Sequence, residues 1–410
     1  MRDHPYLSRL VHFGVKFGLD SIRALCDALG GPERAYTTLL IAGTNGKGSV
    51  AAYLDHALRG AGRRVGRYTS PHLVHLNERI VVDGRALSDA ALDAALARVR
   101  EAADALQAVG RLAHPPTHFE ALTAAAFDTF RYEGVDVAVL EVGMGGRLDA
   151  TNVADPLVSA IVSIDFDHEA YLGSTLAAIA REKAGVLRPG RATVLGPMAE
   201  EARAAIEEEA RAVGARLVTA VDDGRYRDVP ALPGAHQRAN LEVALQVLEE
   251  AIAGGLDVDL PRALAGLGAT EWPGRLQWVA GEVPLLLDGA HNPAGARALA
   301  AYLRERDQPF VLLFGAMRDK AVAEVARTLF PLAREVVVTS PPVPRAATPE
   351  EVLTAAPPGT PAHGEREVAA ALALARERAR AHGSSVVVAG SLYLVGEVMA
   401  LIGPPHGPER

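Results

Sequence analysis

Two textures alternate along the chain. Short runs rich in Val, Ile and Leu are followed by longer Ala-rich stretches in which apolar residues recur at three- and four-residue intervals. The runs predict strands at 39–42, 65–69, 135–142, 158–164 and 192–195, and the stretches predict helices at about 49–59, 88–109 and 119–132. Apolar strands separated by helices are what a mostly parallel α/β sheet covered on both faces requires. The texture breaks at Trp272-Pro-Gly, where a linker is predicted over 274–282. It divides a domain at 1–273 from a second alternating series at 283–410. Strands at 283–287, 310–314, 335–339 and 385–389 make that series a smaller doubly wound domain. The Pro- and Gly-rich tail beginning at Gly403 is expected to fray.

Composition narrows the function classes. With 410 residues, 49% hydrophobic and 22% charged, the chain can build two cores at about 100–200 residues per domain and is too apolar to be disordered. A net charge of −8 gives no general attraction for nucleic acid or acidic lipid, so an anion site must be local. The single Cys26 rules out a disulfide framework and a zinc–cysteine cluster. No apolar run reaches the ~20 residues of a membrane span. The N-terminus has no leader-like apolar region, so a cytoplasmic protein is expected. Of 42 Lys plus Arg residues only four are lysine: Lys16, Lys47, Lys183 and Lys320. A chain that writes arginine for generic positive charge keeps lysine where a guanidinium serves poorly.

The chemistry-bearing motifs sit at predicted strand ends. Gly43, Thr44, Asn45, Gly46, Lys47, Gly48 and Ser49 follow a strand and open a helix. Backbone N–H groups and the helix dipole converge on an anion there, with Lys47 reaching terminal phosphates and Ser49 a metal or phosphate. Ile41 and Gly48 depart from the usual Walker pattern, and a Gly-rich turn without a ligand is the plainer reading. Ser70, in TSPHL, follows the next strand, and Glu141 ends a very apolar one. A buried carboxylate is costly unless paired, hydrogen-bonded or metal-bound. Asp167-His168 follow a further strand. Singly, Ser70 reads as a turn residue and His168 as structural. Together Ser49, Ser70, Glu141 and His168 form a hard, oxygen-rich set suited to Mg²⁺ beside phosphates. Lys183 follows on the next helix. A surface lysine is the plain reading, but an amine, unlike a guanidinium, can take up CO₂ to become an anionic carbamate. In the second half, Asp288 ends a strand and can hydrogen-bond a ribose. Arg275 can pair with phosphate. His291 is equally an ordinary helix-start residue.

These motifs occur together in one order: GTNGKGS, TSPHL, HFE, EVGMGGRLDATN, DH, REKAG, HQRAN, WPGR, DGAHNP and AGS. In that order, across nearly the whole chain, the sequence resembles the folylpolyglutamate synthase/dihydrofolate synthase family of the Mur ligase superfamily. The resemblance implies a Mur-ligase-type central ATPase domain with a P-loop, and a smaller Rossmann-like C-terminal domain. It implies an ATP- and Mg²⁺-dependent ligase that joins L-glutamate to dihydropteroate or a reduced folate through an acyl phosphate. A monovalent cation would be an optional further ion. By the same resemblance, Gly43–Lys47 hold the triphosphate, and Ser70, Glu141 and His168 hold Mg²⁺. Lys183 matches a carbamylated lysine, and Asn240, Arg275 and Asp288 match nucleotide contacts. Lys47, Lys183 and His291 fall at the catalytic positions. The pterin site maps onto 14–17, with Phe17, onto Thr117, His118, Phe119 and Glu120, and onto Leu148, Asp149 and Ala150. Arg345 and Ser391 are candidates on the glutamate side. A monomer acting on small molecules, with no nucleic acid or membrane partner, is the expectation.

Three positions depart from the family pattern: Tyr171 stands where a tryptophan is common, and Leu392-Tyr393 replace a Phe-His pair. Competing readings are a P-loop ATPase or kinase that forms no amide, and a Mur-type peptidoglycan ligase. The second domain with its Asp288/His291 motif argues against the first. A first strand already at residue 39 argues against the second. A binding module without catalysis would leave the metal-capable residues idle.

Overall fold

The computed structural model describes residues 4–10 and 18–403, so the expected contact at Phe17 and the tail from residue 404 lie outside the described residues. The described chain divides into two compact units. The first comprises residues up to 71, 75–231 and 237–271; the second comprises 72–74, 232–236 and 272 onward.

The first unit is built on eight strands: β1 Thr37–Ala42, β2 Val65–Tyr68, β3 Ile80–Val82, β4 Arg85–Ala86, β5 Val137–Glu141, β6 Val158–Ile161, β7 Ala192–Leu195 and β8 Arg216–Thr219. Their spatial order is β4-β3-β2-β5-β1-β6-β7-β8, parallel except for the β2-β3-β4 edge. The predicted strands are present: β7 has the expected ends, β1 begins two residues earlier, and β2, β5 and β6 are shorter by one to three residues. The unpredicted β3–β4 hairpin turns on Asp83-Gly84, both at positive φ, +51° and +78°. Asp-Gly is the dipeptide such a two-residue turn favours.

Register brings the strand ends to a common level. Ile41 lies opposite Glu141, Ala42 opposite Ile161, and Tyr68 opposite Leu140. The chain therefore leaves four strands at Gly43, Thr69, Val142 and Val162 along a single sheet edge. Such an edge, where connections run to opposite sides, is the usual crevice of α/β sheets. Burial of β1 and β5, nearly complete along their lengths, fixes that level.

The second unit has six further strands: β9 Gln277–Val279, β10 Leu285–Leu287, β11 Phe310–Phe314, β12 Glu335–Val338, β13 Ala362–Gly364 and β14 Ser385–Ala389. Their order is β13-β12-β11-β14-β10-β9, parallel except for β9 against β10. The segment expected as a linker, 274–282, is not one. It holds edge strand β9, with Trp278 opposite Leu286, entered through Gly274 and Leu276 at positive φ. Its breakers make a tight turn rather than a free connection, and three residues are too few for a period to register. The two sheet faces bury separate clusters. Phe314 and Phe330 pack edge to face on one side, and Leu285, Val311 and Val395 lie on the other.

Candidate active site

The residues expected to act form two groups, one in each unit. In the first, the loop between β1 and helix Lys47–Gly60 is braced by the chain leaving β6. Thr44 N–H donates to the Ser163 carbonyl (2.8 Å), and Thr44 Oγ1 donates to the Asp165 carbonyl and accepts from Asp165 N–H, both at 3.1 Å. Ser163 Oγ accepts from Asn45 N–H and donates to the Asn45 carbonyl, both at 3.0 Å. Gly43 and Gly46 take φ of +146° and +84°. A Cβ on Gly46 would strike the side chain of Asn240, which is held by Gln237 (2.9 Å) on helix Ala235–Ala253. This brings Asn240 to the loop. First-turn N–H groups of a helix lack intrahelical acceptors, so the mouth of the loop is a ready anion site. Sequence reasoning missed Ser163 and Asp165; their position just past a buried strand was the available signal.

Both lysines turn toward this loop. Lys47 Nζ donates to the carbonyls of Gly43 (3.0 Å) and Thr44 (3.2 Å), and Lys183 Nζ also donates to Gly43 (3.0 Å). Lys183 is only 4% exposed. Burial, and then the neighbouring Lys47 charge, lower its pKa from 10.5 to about 7, against a partial counter-pull from Asp167 and Asp149. The plain surface-lysine reading fails: this amine is buried and holds its proton weakly.

Of the metal-capable set, Ser49, Ser70 and Glu141 follow or end strands at the same sheet edge. Glu141, 5% exposed, accepts from Ser70 N–H at 3.1 Å, which places Ser70 beside the carboxylate. Ser49 is buried at the third position of helix Lys47–Gly60. His168 is not at a strand tip as expected. β6 ends at Ile161, and His168 caps helix Glu169–Leu172 with φ +52°, its N–H donating to Asp167 Oδ1 (2.8 Å). Among the described residues no three His, Cys, Asp or Glu form a closed cage. One carboxylate with hydroxyls suits Mg²⁺, which keeps waters and phosphate oxygens in its shell. The donor set fits that ion.

Two of the stretches mapped to the pterin site, 117–120 and 148–150, come together, and 14–17 lies outside the described residues. Thr117 caps helix His118–Tyr132 in a reciprocal box with Glu120, and Phe119 packs against Tyr68 with ring centroids 6.0 Å apart. A Cβ on Gly143 would meet both Phe119 and Asp149. Asp149 accepts from Met144 N–H (2.9 Å), Thr151 N–H (3.0 Å) and Thr151 Oγ1 (2.6 Å). Its carboxylate thus folds the loop that presents Leu148 and Ala150. Burial nonetheless raises its pKa.

In the second unit, Asp288 is buried past β10. Its Oδ1 accepts from Ala290 N–H and its Oδ2 from Leu276 N–H, both at 3.0 Å. Burial raises its pKa, opposed chiefly by Arg275. Arg275 donates to the Gly274 carbonyl (3.1 Å) and lies against Gly289. His291 Nδ1 hydrogen-bonds the Gly289 carbonyl (2.8 Å), just before Asn292 caps helix Pro293–Arg306. His236, which sequence reasoning passed over, approaches the same carboxylate; burial lowers its pKa and Asp288 opposes the shift. Ser391 caps helix Leu392–Ile402 by accepting from Tyr393 N–H (3.1 Å). Exposed Arg345 stacks 5.7 Å over the Tyr393 ring and pairs with Asp319 (3.5 Å). Arg345 and Ser391 are thereby brought to one place.

Residues 274–392 match the Mur ligase, glutamate ligase domain. A folylpolyglutamate synthase of Lacticaseibacillus casei is 34% identical, over 92% of each chain. The solved folylpolyglutamate synthase of Mycobacterium tuberculosis, complexed with ADP and AMPPCP, has a TM-score of 0.89 at 33% identity, covering 98% of this chain and 99% of that one. A bifunctional folylpolyglutamate synthase/dihydrofolate synthase of Yersinia pestis, complexed with AMPPNP and Mn ion, has a TM-score of 0.83 at 32% identity, covering 97% and 96%. The chain also matches, at 38% identity, probable bifunctional folylpolyglutamate synthase/dihydropteroate synthases of Haloferax volcanii and Halobacterium salinarum. It spans about half the length of those first curated relatives. Among the described residues no helix is long and apolar enough to cross a membrane. With its mixed α/β units and its ordered motifs, the chain belongs to the folylpolyglutamate synthase/dihydrofolate synthase family of the Mur ligases.

Proposed function

We propose that this protein joins L-glutamate to dihydropteroate, to the γ-carboxylate of reduced folates, or to both, consuming ATP. The observation that carries the reading is the convergence of Lys47 and buried Lys183 on the Gly43 carbonyl, at the mouth of an anion-binding loop.

A carboxylate is a poor electrophile. Its oxygen attacks the γ-phosphorus of ATP, the bond to the bridging oxygen breaks, and ADP leaves. The acyl phosphate then accepts the glutamate amine, and the tetrahedral intermediate expels phosphate to leave the amide. Lys47 and the first-turn N–H groups neutralise charge on the transferring phosphoryl group, and such electrostatic stabilisation supplies most of the catalysis in phosphoryl transfer. Ser49, Ser70, Glu141 and His168 would hold the divalent ion. When bound, Mg²⁺ supplies Lewis-acid stabilisation and a template for phosphate oxygens. Asn240, Arg275 and Asp288 are assigned to the nucleotide, and His291 to the region of the transferring phosphate. Thr117–Glu120 and Leu148–Ala150 are assigned to the pterin. Arg345 and Ser391 are assigned to glutamate.

Lys183 serves this reading as a carbamate. Its neutral amine adds to CO₂, releasing one proton and leaving an anion where the uncarbamylated chain gathers two cations. The Mn ion and AMPPNP bound by the Yersinia relative support the divalent-ion and nucleotide assignments. A monovalent cation, a monomeric state and a cytoplasmic setting complete the proposal.

Phosphate release from ATP with glutamate, compared among dihydropteroate, tetrahydrofolate and no acceptor, tests it, with product mass as confirmation. Turnover with both acceptors establishes a bifunctional enzyme, and tetrahydrofolate alone a chain-extending synthase. Release without any acceptor overturns the reading in favour of a plain ATPase.

A further inference from the structure

A cleft of about 560 Å³ opens in the second unit, within the size range of small-molecule pockets. One wall is Pro233, Gly234 and Ala235. The other is Tyr302, Glu305 and Arg306, from the last turns of helix Pro293–Arg306. All six residues belong to the second unit, and none has a role in the reading above. At about 1.5 Å per residue, Tyr302 lies roughly 15 Å along its helix from the cap at Asn292. The first wall is set by a glycine. Gly234 has φ +94°, and a Cβ there would lie 2.6 Å from buried Leu276 and 2.9 Å from the His236 ring. Only a residue without a side chain lets the backbone come that close.

The second wall is a stack. The Arg306 guanidinium lies 4.9 Å over the Trp278 ring and 5.8 Å over that of Tyr302. Trp278 Nε1–H donates to the Tyr302 hydroxyl oxygen (2.9 Å), and Arg306 donates to the same oxygen at the long distance of 3.5 Å. That fills both acceptor positions of the hydroxyl and leaves its own hydrogen to donate. The other polar contact of Arg306, to Gln308 Oε1, is equally long at 3.5 Å. Among the described residues neither Arg306 nor Glu305 forms an ion pair, with each other or with any third group. Helix electrostatics favours Arg306 in the last turn but disfavours Glu305 beside it. Stacking holds the guanidinium open, with its flat fork ready for bidentate capture of a carboxylate.

We propose that this cleft binds a free α-amino acid by its zwitterionic head, the carboxylate taken by Arg306 and the Tyr302 hydroxyl and the ammonium by Glu305. A lone anion would meet the Glu305 carboxylate, and a lone cation the Arg306 guanidinium; a zwitterion answers both. The site shares no residue with the glutamate side assigned to Arg345 and Ser391, and it stands whether or not that assignment does.

The chain has two tryptophans, so the ¹H–¹⁵N spectrum of the labelled full chain carries two indole N–H signals. A Trp278→Phe sample identifies the one that donates to Tyr302. That signal is followed, without ATP, as L-glutamate, L-alanine or glutarate is added. Both amino acids should shift it saturably, and glutarate, which lacks the ammonium, should not. Arg306→Met should abolish the shift. Glu305→Gln should raise the half-saturating concentration about tenfold, the scale of one charge-assisted hydrogen bond. Both replaced side chains are exposed, so these variants keep the fold. An equal shift with glutarate would make the cleft a plain anion site. A shift that survives in Arg306→Met would put the binding elsewhere, and no shift with either amino acid would leave the cleft without this ligand. Each of these results overturns the proposal.

Discussion

The loop after β1 and the loop after β10 occupy equivalent places at the carboxyl ends of parallel sheets, yet they handle charge in opposite ways. The first delegates its own bracing. Ser163 and Asp165, from the neighbouring strand exit, hold Thr44 and Asn45, so the loop's cationic lysine stays near the mouth. The second is held through its own acid: Asp288 accepts from Ala290 N–H within the loop and from Leu276 N–H on the segment entering β9. A loop held by its neighbours can commit its charged residue to a ligand, whereas a loop held by its own acid commits it first to shape.

That contrast is open to direct attack. Lys47→Ala should lower kcat by about a hundredfold to a thousandfold, the scale for removing one preorganised electrostatic group, with little change in Tm. Kinetics beside thermal melts decide it; retention of full activity would end the ligase account.

Lys183 gives the next largest effect. Between pH 7 and 10.5 the unfolded chain holds a proton that the folded amine, with its pKa lowered to about 7, has released. Stability therefore rises with pH across that window, and the full penalty is present below it. In CO₂-free buffer Lys183→Met should raise Tm, more at pH 7 than at pH 10. Added bicarbonate should shrink the gain by stabilising the wild type. A pH-independent difference would remove the buried-cation picture.

Asp288→Asn should behave unlike Lys47→Ala. Its amide presents a donor to one of two backbone N–H groups, at a cost of about 1–3 kcal/mol, so Tm should fall before kcat does. If kcat instead collapsed with Tm unmoved, the two loops would be chemically alike and the comparison would fail. The smallest effect is expected at Tyr393. Its exchange for Leu removes a stacking partner of Arg345 worth about 0.5–1 kcal/mol. A few-fold rise in the KM for glutamate at constant kcat should follow.

Features that repeat or are chemically scarce are legible in the sequence. The buried strands β1, β5, β11 and β14 announce themselves as unbroken apolar runs, and Lys183 stands out because this chain otherwise writes arginine. β9 and β13 escape notice because three residues carry no period, and antiparallel β9 lies where breakers suggest a linker. Val162 and Ile164 extend the apolar run beyond β6 and so point to a strand end beside His168. Strand pairing stops at Ile161 because the next residues brace Thr44 and Asn45 instead. The importance of the Asp288 carboxylate is legible, but the groups it faces are not. They depend on Leu276, twelve residues upstream and in a left-handed conformation that no local pattern announces.

The discontinuous second unit has a consequence for biosynthesis. Leu73 leaves the ribosome about 300 residues before the glycine that seats it, a separation that places this contact among the slowest to form. Until residue 396 has been synthesised, Leu73, which packs with the second unit, has no seat. A nascent chain arrested before helix Leu392–Ile402 would hold the loop after β1 and both lysines, yet lack the glycine on which Leu73 rests. The packing of Leu73 then follows the order of synthesis, made only after β14 has joined the second sheet.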